Sequence, residues 1–407
     1  MKTIKWIIIS ISLIVIFRAN YSFASIQIPE IPNDIRFELS NSEFNKYMRR
    51  SMKAYTDGEI YGKRNIKKKY KKWISAKIVI GDKKLKTKIR ILGDLKDHLR
   101  PPETSLKVKV IDDSYFGVTR FNLFLPETRK GENEVFWTLM LHTLKFPSLF
   151  TKMIEVNLNG NVYKAIFQED ATKEFLERNN LTETVILKNN DYGFYLNKNE
   201  KKIYDNIFSS SFVIDNNNFL KNDTSNFIAS EAIALKSNKN FKELVFMEDF
   251  FVDIHQKFAK HGLAEINRKY IYIPYSKKFL PLYYDGNIQF LPGKTKCESD
   301  IEKKIFQTFQ LNYLALTNKK LSKIQKCVFK DIYKLHKNKF LNESKKISFN
   351  FDKKKVEKYK NIKNEILSYL NNKNIAKNLN FTTAQGKGVF YSFIYNDIFY
   401  KCFFVFE

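Results

Sequence analysis

Cysteine is scarce. Cys297, Cys327 and Cys402 are the only three in 407 residues, too few and too scattered for a disulfide framework or a metal knuckle. One bridge formed after export and free buried thiols both fit that count. Histidine is as sparse, with five, and there is no His-x-x-x-His or Cys-x-x-Cys, which excludes the usual zinc spacings. With 13 Gly and 9 Pro the chain is neither collagenous nor dominated by linkers. A Gly-rich phosphate loop is missing, and Gly93 stands alone. After the N-terminal segment no apolar run approaches the eighteen residues of a membrane span. No Arg-rich reading helix and no base-stacking or groove motif is found, so specific nucleic-acid recognition is not expected.

What is present is apolar and basic. Hydrophobic residues make up 43% and aromatics 15%, with 37 Phe and 22 Tyr, enough to build packed cores. Formal net charge is +28. That excess predicts an anionic partner such as nucleic acid, a phosphorylated glycan, a nucleotide or anionic lipid, or else a generic lysine-rich surface. At the N-terminus Lys2 and Lys5 precede a largely apolar run, Trp6 to Phe17, followed by Ser22-Phe23-Ala24. This reads as a signal peptide over 1–24 and an exported protein in the periplasm or at the cell surface. Retention as an inner-membrane anchor through residues 6–17 is the alternative, although such a helix spans only about 18 Å of a ~30 Å bilayer core.

Hydrophobic periodicity divides the rest. Residues 25–72 read as extended and then helical, with Ser40 capping a helix to Tyr55 and Glu43 three positions on. Residues 73–225 read as β-rich. Trp73–Ile80, Leu85–Leu92, Ser105–Ile111 and Arg120–Leu125 form an antiparallel meander, Glu132–Leu144 a helix, and Lys152–Leu158 with Val162–Gln168 a hairpin about Asn159-Gly160-Asn161. A short helix, Thr172–Arg178, follows. The Asn-rich stretch 180–225 reads as loop and as the boundary between lobes. Residues 226–380 read as helical, at about 226–237, 241–260, 299–317, 320–341 and 352–378, interrupted by a hairpin over 267–287. The tail, 381–407, is strand-like and breaks off inside an apolar run, as an incomplete end would. Strands followed by helices predict an α+β protein in two lobes.

The densest chemistry lies in His261-Gly262-Leu263-Ala264-Glu265-Ile266-Asn267, with Asp285 eighteen positions after Asn267. Strand-like runs Lys269–Pro274 and Phe279–Tyr284 would bring Asn267 and Asp285 to one end of a ribbon. An amide and a carboxylate side by side suit a hard divalent cation holding phosphates; ordinary turn residues give the same spacing.

Several pieces resemble the CotH kinase-like family, named for a spore-coat protein and a divergent branch of the protein-kinase fold. They are Arg90-Ile91-Leu92-Gly93, Ser105-Leu106-Lys107-Val108-Lys109, Arg120-Phe121-Asn122-Leu123, Val156-Asn157-Leu158-Asn159-Gly160 with Val162 to Glu169, and Asn267–Tyr272 with Pro281–Asp285. They follow the family's order over residues 75 to 290. The resemblance implies a two-lobed kinase-like architecture with a β-rich N-terminal and a helix-rich C-terminal lobe. It implies ATP in the interlobe cleft, Lys107 on the phosphates with Lys109 as register alternative, and Glu169 orienting that lysine. Asn267 and Asp285 would hold Mg²⁺. Gly262 stands where such kinases carry the catalytic Asp, leaving Glu265 and His261 as candidate bases. Two functions follow as expectations. One is an exported phosphotransferase acting on an envelope protein or polysaccharide. The other is an inactive scaffold binding acidic envelope or capsule polysaccharide.

Overall fold

Alternation of apolar and polar residues shapes the first half of the chain, as in β3 (Lys83–Ile91), whose Leu85, Thr87, Ile89 and Ile91 are buried between exposed lysines. A computed structural model describes residues 29–57, 66–189, 212–238, 240–264, 267–290, 301–349, 388–395 and 398–405. The chain divides into two compact units, 1–339 and 340–407.

In the first unit, β1 (Asp34–Glu38), β2 (Ile74–Ile80), β3, β6 (Leu106–Val110), β7 (Arg120–Phe124), β9 (Asn161–Glu169) and β8 (Thr151–Leu158) close into a seven-stranded barrel in that order. The short β4 (Leu99–Arg100) and β5 (Glu103–Thr104) pair beside it. Every barrel contact is antiparallel except the seam, where β1 runs parallel to β8 with Ile35 opposite Val156. Inward residues from every strand fill the interior, including Phe37, Ile78, Ile89, Val108, Phe121, Val156 and Phe167. Phe121 and Phe167 stack at 4.6 Å between centroids. Helix α1 (Asn41–Thr56) packs on β2, and Ser40 caps it by accepting from the Glu43 N–H at 3.3 Å.

A second sheet, β11-β10-β12-β13, is built from β10 (Ile186–Asn189), β11 (Phe212–Ile214), β12 (Lys269–Ile273) and β13 (Lys278–Leu282). It is buried on both faces. Ile186, Ile271, Ile273 and Leu282 meet Phe175 and Leu176 of α3 (Lys173–Arg178). Leu187, Tyr270, Tyr272 and Phe279 meet α4 (Asp223–Lys236) and α5 (Phe241–Leu244). A third core joins α2 (Glu132–Thr143), α6 (Glu248–Phe258), α7 (Lys303–Thr317) and the first part of α8 (Lys323–Phe349) around Trp137, Phe146, Phe251 and Phe309. Among the described residues no helix is long and apolar enough to cross a membrane. In the second unit β14 (Gly388–Tyr395) and β15 (Ile398–Val405) form a hairpin.

The two-lobed kinase-like architecture expected from the sequence is not what forms. The β-rich part is no open meander: β1, read from sequence as an extended lead-in, closes the strands into a barrel. Nor is the C-terminal part purely helical. β10 and β11 arise inside the stretch read as loop, and they pair with the predicted hairpin to make a four-stranded sheet. Closure leaves no free edge on the barrel, and burial on two faces explains why β10 lacks the alternation that marks a half-exposed strand. The signal segment 1–24 and the predicted helix 352–378 lie outside the described residues.

The β8–β9 turn reaches beyond its own hairpin. Asn159 and Gly160 both have positive φ, 49° and 91°, as a two-residue hairpin turn requires. The Asn159 side chain accepts from the Leu39 N–H at 2.7 Å and donates to the Leu39 carbonyl at 2.9 Å, holding the end of β1 at the seam. Asn159→Ala removes both bonds and is expected to cost about 2 kcal/mol, seen as a lower urea midpoint at unchanged m-value; an unchanged midpoint would show that the clamp contributes nothing.

Candidate functional site

A cavity of about 650 Å³ opens between the barrel and the second sheet, within the size range of small-molecule sites. Nine Lys and Arg side chains line it against six carboxylates. β3, β6 and β7 bring Arg90, Lys107, Arg120 and Asn122 to one wall, while β10 and β12 bring Lys188 and Lys269 to the other.

On the barrel wall, Lys107 Nζ lies 2.6 Å from Asp170 Oδ2, and Asn122 Nδ2 donates to Asp170 Oδ1 at 2.7 Å. Asp170, immediately after β9, therefore takes the place that the sequence assigns to Glu169. The pleat explains the difference. Lys107 is opposite Asn122, on the face outside the barrel, whereas Glu169 is opposite the inward-facing Phe121. Glu169 instead ion-pairs with Arg178 and accepts from the Phe150 N–H at 2.7 Å. Lys109 follows Lys107 on the same outward face but does not line the cavity.

On the opposite wall, Lys269 and Lys188 sit side by side in register and share Asp215, at 2.7 and 3.6 Å. Burial pushes the Asp215 carboxyl up, but the two lysines outweigh it and hold the group down at about 2. Lys269 Nζ also stands 4.2 Å from the centroid of the Tyr284 ring, within cation–π range.

The third cluster follows β13. Arg129, only 4% exposed at its side chain, ion-pairs with Asp285 Oδ1, donates to Tyr284 Oη at 3.2 Å and lies 4.3 Å from the Phe124 ring. His261 Nε2 is 3.7 Å from Asp285 Oδ2. Burial raises the Asp285 carboxyl, and Arg129 and His261 reverse this to a net depression. His261 is raised above its usual value by its bond to Asp285. Both Asp285 and Asn287 adopt left-handed backbone, at φ of 50° and 51°, which Asp and Asn tolerate better than most residues.

Two glycines permit this meeting. A Cβ added at Gly262 would lie 3.3 Å from the Gly286 Cα, and one at Gly286 would lie 2.6 Å from Tyr283 Cε2. Gly262 is thus an element of close backbone packing, where any side chain would press on the Gly286 backbone. Beneath it, Tyr283 donates to Glu134 Oε2 at 2.6 Å and accepts from the Gly286 N–H at 2.8 Å, and Gln168 donates to Glu134 Oε1 at 3.1 Å. Burial pushes the Glu134 carboxyl up to about 7 despite Arg129 and Tyr283.

Of the residues singled out in the sequence, Lys107, His261, Asn267 and Asp285 line one cavity; Lys109 and Glu169 lie outside it, and Glu265 falls outside the described residues. Both Asp285 oxygens face cationic partners, which compete with any metal ion for them. The buried Asn267 donates its Nδ2 to the His261 carbonyl at 3.0 Å, a bond that orients the side chain and leaves its Oδ1 uninvolved. Among the described residues no group of three or more His, Cys, Asp or Glu could hold a metal. Asp170, Arg129, Asp215, Lys188 and Lys269 escaped the sequence reading. Pleat parity with Lys107 disfavoured Glu169 in advance, but the lysine pair is visible only once β10 is seen to be a strand. No protein-family model matches the sequence, and no curated protein matches it.

Two measurements check this geometry. His261 is expected to titrate above 6.5 by NMR, and Asp285→Asn to lower that value; an unshifted His261 in both proteins rules out the pairing. Glu134 has a folded pKa raised above its unfolded value of about 4.5, so the unfolded chain releases its proton first. Stability is expected to fall as pH rises from 4.5 to about 7. Glu134→Gln flattens that fall, as read by denaturation across the range.

Proposed function

We propose that this protein binds a phosphate-bearing ligand of nucleotide or sugar-phosphate size in the cavity between barrel and second sheet, and that it does so as an exported protein. The convergence of lysines from two walls carries the reading. Lys107 approaches from β6, and Lys188 and Lys269 from β10 and β12. Asp170 and Asp215 hold these lysines in place while no ligand engages them. In a partly enclosed site, several ammonium groups on one anion are worth more than they are in open water. Arg90 adds a half-buried guanidinium to the same wall, resting on Trp73 at 5.2 Å, and the planar fork of Arg suits phosphate oxygens. Export is supported by the leader-like N-terminus and by Cys327, which is disulfide-bonded, a state that persists in oxidising compartments.

Phosphoryl transfer is the second reading, and His261 favours it. A half-exposed imidazole at the cavity wall, with Asp285 beside it, suits a general base. In its neutral form it would take the proton of an acceptor hydroxyl as that oxygen attacks phosphorus. The lysines would carry the charge building on the phosphoryl oxygens and on the departing group. Such a base works only above its own raised pKa, so the rate would climb with pH through that value.

Inorganic pyrophosphate and glucose 1-phosphate are the probes. Each is expected to raise the melting temperature, and at a hundredfold excess over Kd the stabilisation is about 2.7 kcal/mol. The double substitution Lys107→Gln, Lys188→Gln is expected to weaken binding about tenfold or more. Absence of any shift at millimolar concentration of both probes sinks the binding reading.

A further inference from the structure

The outer face of the barrel, from the cavity rim outward, carries cations where physics disfavours them. Lys88 on β3 is directly opposite Lys109 on β6, and Lys109 is directly opposite Arg120 on β7. All three lie on the barrel's outer face. One row further along, Lys77 of β2 lies between Lys86 of β3 and Glu38 of β1, so that row is partly balanced. Neighbouring strands lie about 4.8 Å apart, and like charges directly opposite each other destabilise a sheet. Asp170, whose N–H donates to the Arg120 carbonyl at 3.0 Å, ends the first row but spends its carboxylate on Lys107 and Asn122. Among the described residues Lys88, Lys109 and Arg120 have no carboxylate within ion-pair distance, and Lys86 has only a loose contact with the exposed Asp112, at 3.8 Å. A fold that needed only solubility would gain by replacing any of them with a carboxylate or a threonine.

We infer that this strip is the docking surface for an extended polyanion, a carboxylated polysaccharide, laid across β3, β6 and β7. A polymer fits better than a small ion because the charges are spread over several strands instead of converging on a point. Nucleic acid fits less well. Lys86, Lys88, Lys109 and Arg120 carry the strip without an aromatic among them, and the exposed Trp73 on this face is covered by Arg90 at 5.2 Å, whereas single-strand binding relies on bases stacking on several free aromatics. Lysine predominates, giving point charges without the bidentate geometry that Arg offers to phosphates. The disulfide at Cys327 supports the oxidising side of a membrane, where acidic glycans lie and nucleic acids do not.

Arg120 is shared with the cavity wall, but Lys86, Lys88 and Lys109 are not, so the two sites can fail separately. The test compares the whole protein with a Lys86→Gln, Lys88→Gln, Lys109→Gln variant, none of whose positions lines the cavity. Polygalacturonate is the main probe, with neutral dextran and an oligothymidylate of matched charge beside it. Polygalacturonate is expected to bind with an affinity that falls linearly in log–log against salt. The variant is expected to bind about tenfold more weakly, with a slope shallower by about 2. It is also expected to melt no lower than the parent and to bind pyrophosphate as the parent does. Unchanged polygalacturonate binding by the variant overturns the inference. So does tighter binding of oligothymidylate than of polygalacturonate, which would give the strip to nucleic acid. A clear fall in melting temperature overturns it as well, because the row would then be structural.

Discussion

The buried pair between Arg129 and Asp285 governs the site. Arg129 belongs to the segment that leaves the barrel after β7, and Asp285 to the segment that leaves the second sheet after β13. Their contact therefore ties the two sheets together at the floor of the cavity. Removing one member of such a pair leaves an uncompensated charge out of water, at a cost of about 3–5 kcal/mol. The surrounding groups are tuned to that charge. Tyr284 and Phe124 offer ring faces to the guanidinium, His261 shares the carboxylate, and Glu134 lies close enough for its proton affinity to respond. The glycine-to-glycine approach of residues 262 and 286 is what lets the two segments come this near.

Around that floor the charges follow one plan. Lys107 is held by Asp170, which Asn122 also orients, and Lys269 and Lys188 share Asp215. One aspartate between two lysines balances only one of their charges, so residual positive potential on that wall faces the cavity. An arriving anion meets side chains already fixed in place and forfeits little of its binding energy to ordering them.

Legibility from sequence followed the number of exposed faces. β2, β3 and β6 alternate in sequence because one side of each is wet, and their bounds are found to within a residue or two. The Ser40 cap and the Asn159-Gly160 turn are local chemistry and could be read directly. β10 is buried on both faces and pairs with a strand more than eighty positions away, so neither alternation nor a turn announces it. Barrel closure by β1 is equally silent, because five residues after a proline look the same whether or not they find partners. At the site, residue type was informative and pairing was not: Lys107, His261 and Asp285 were visible, but their partners depend on pleat parity and on segments brought together only by the fold. Of the positions named through the resemblance to a kinase-like family, Lys107, Asn267 and Asp285 line the cavity and Lys109 and Glu169 do not, and the architecture attached to it was wrong.

The seam of the barrel sets an order of events. β1 cannot be flanked on both sides until β8 exists, some 120 positions later, and the Asn159 clamp on Leu39 completes later still. Until then β1, paired only with β2, is an edge strand with backbone donors and acceptors open to any passing strand. Closure across so long a stretch is slow compared with local hairpin formation. The vulnerable species in this protein's life is thus an open, sticky sheet, and a chain emerging N-terminus first must keep one side of β1 free until β8 arrives.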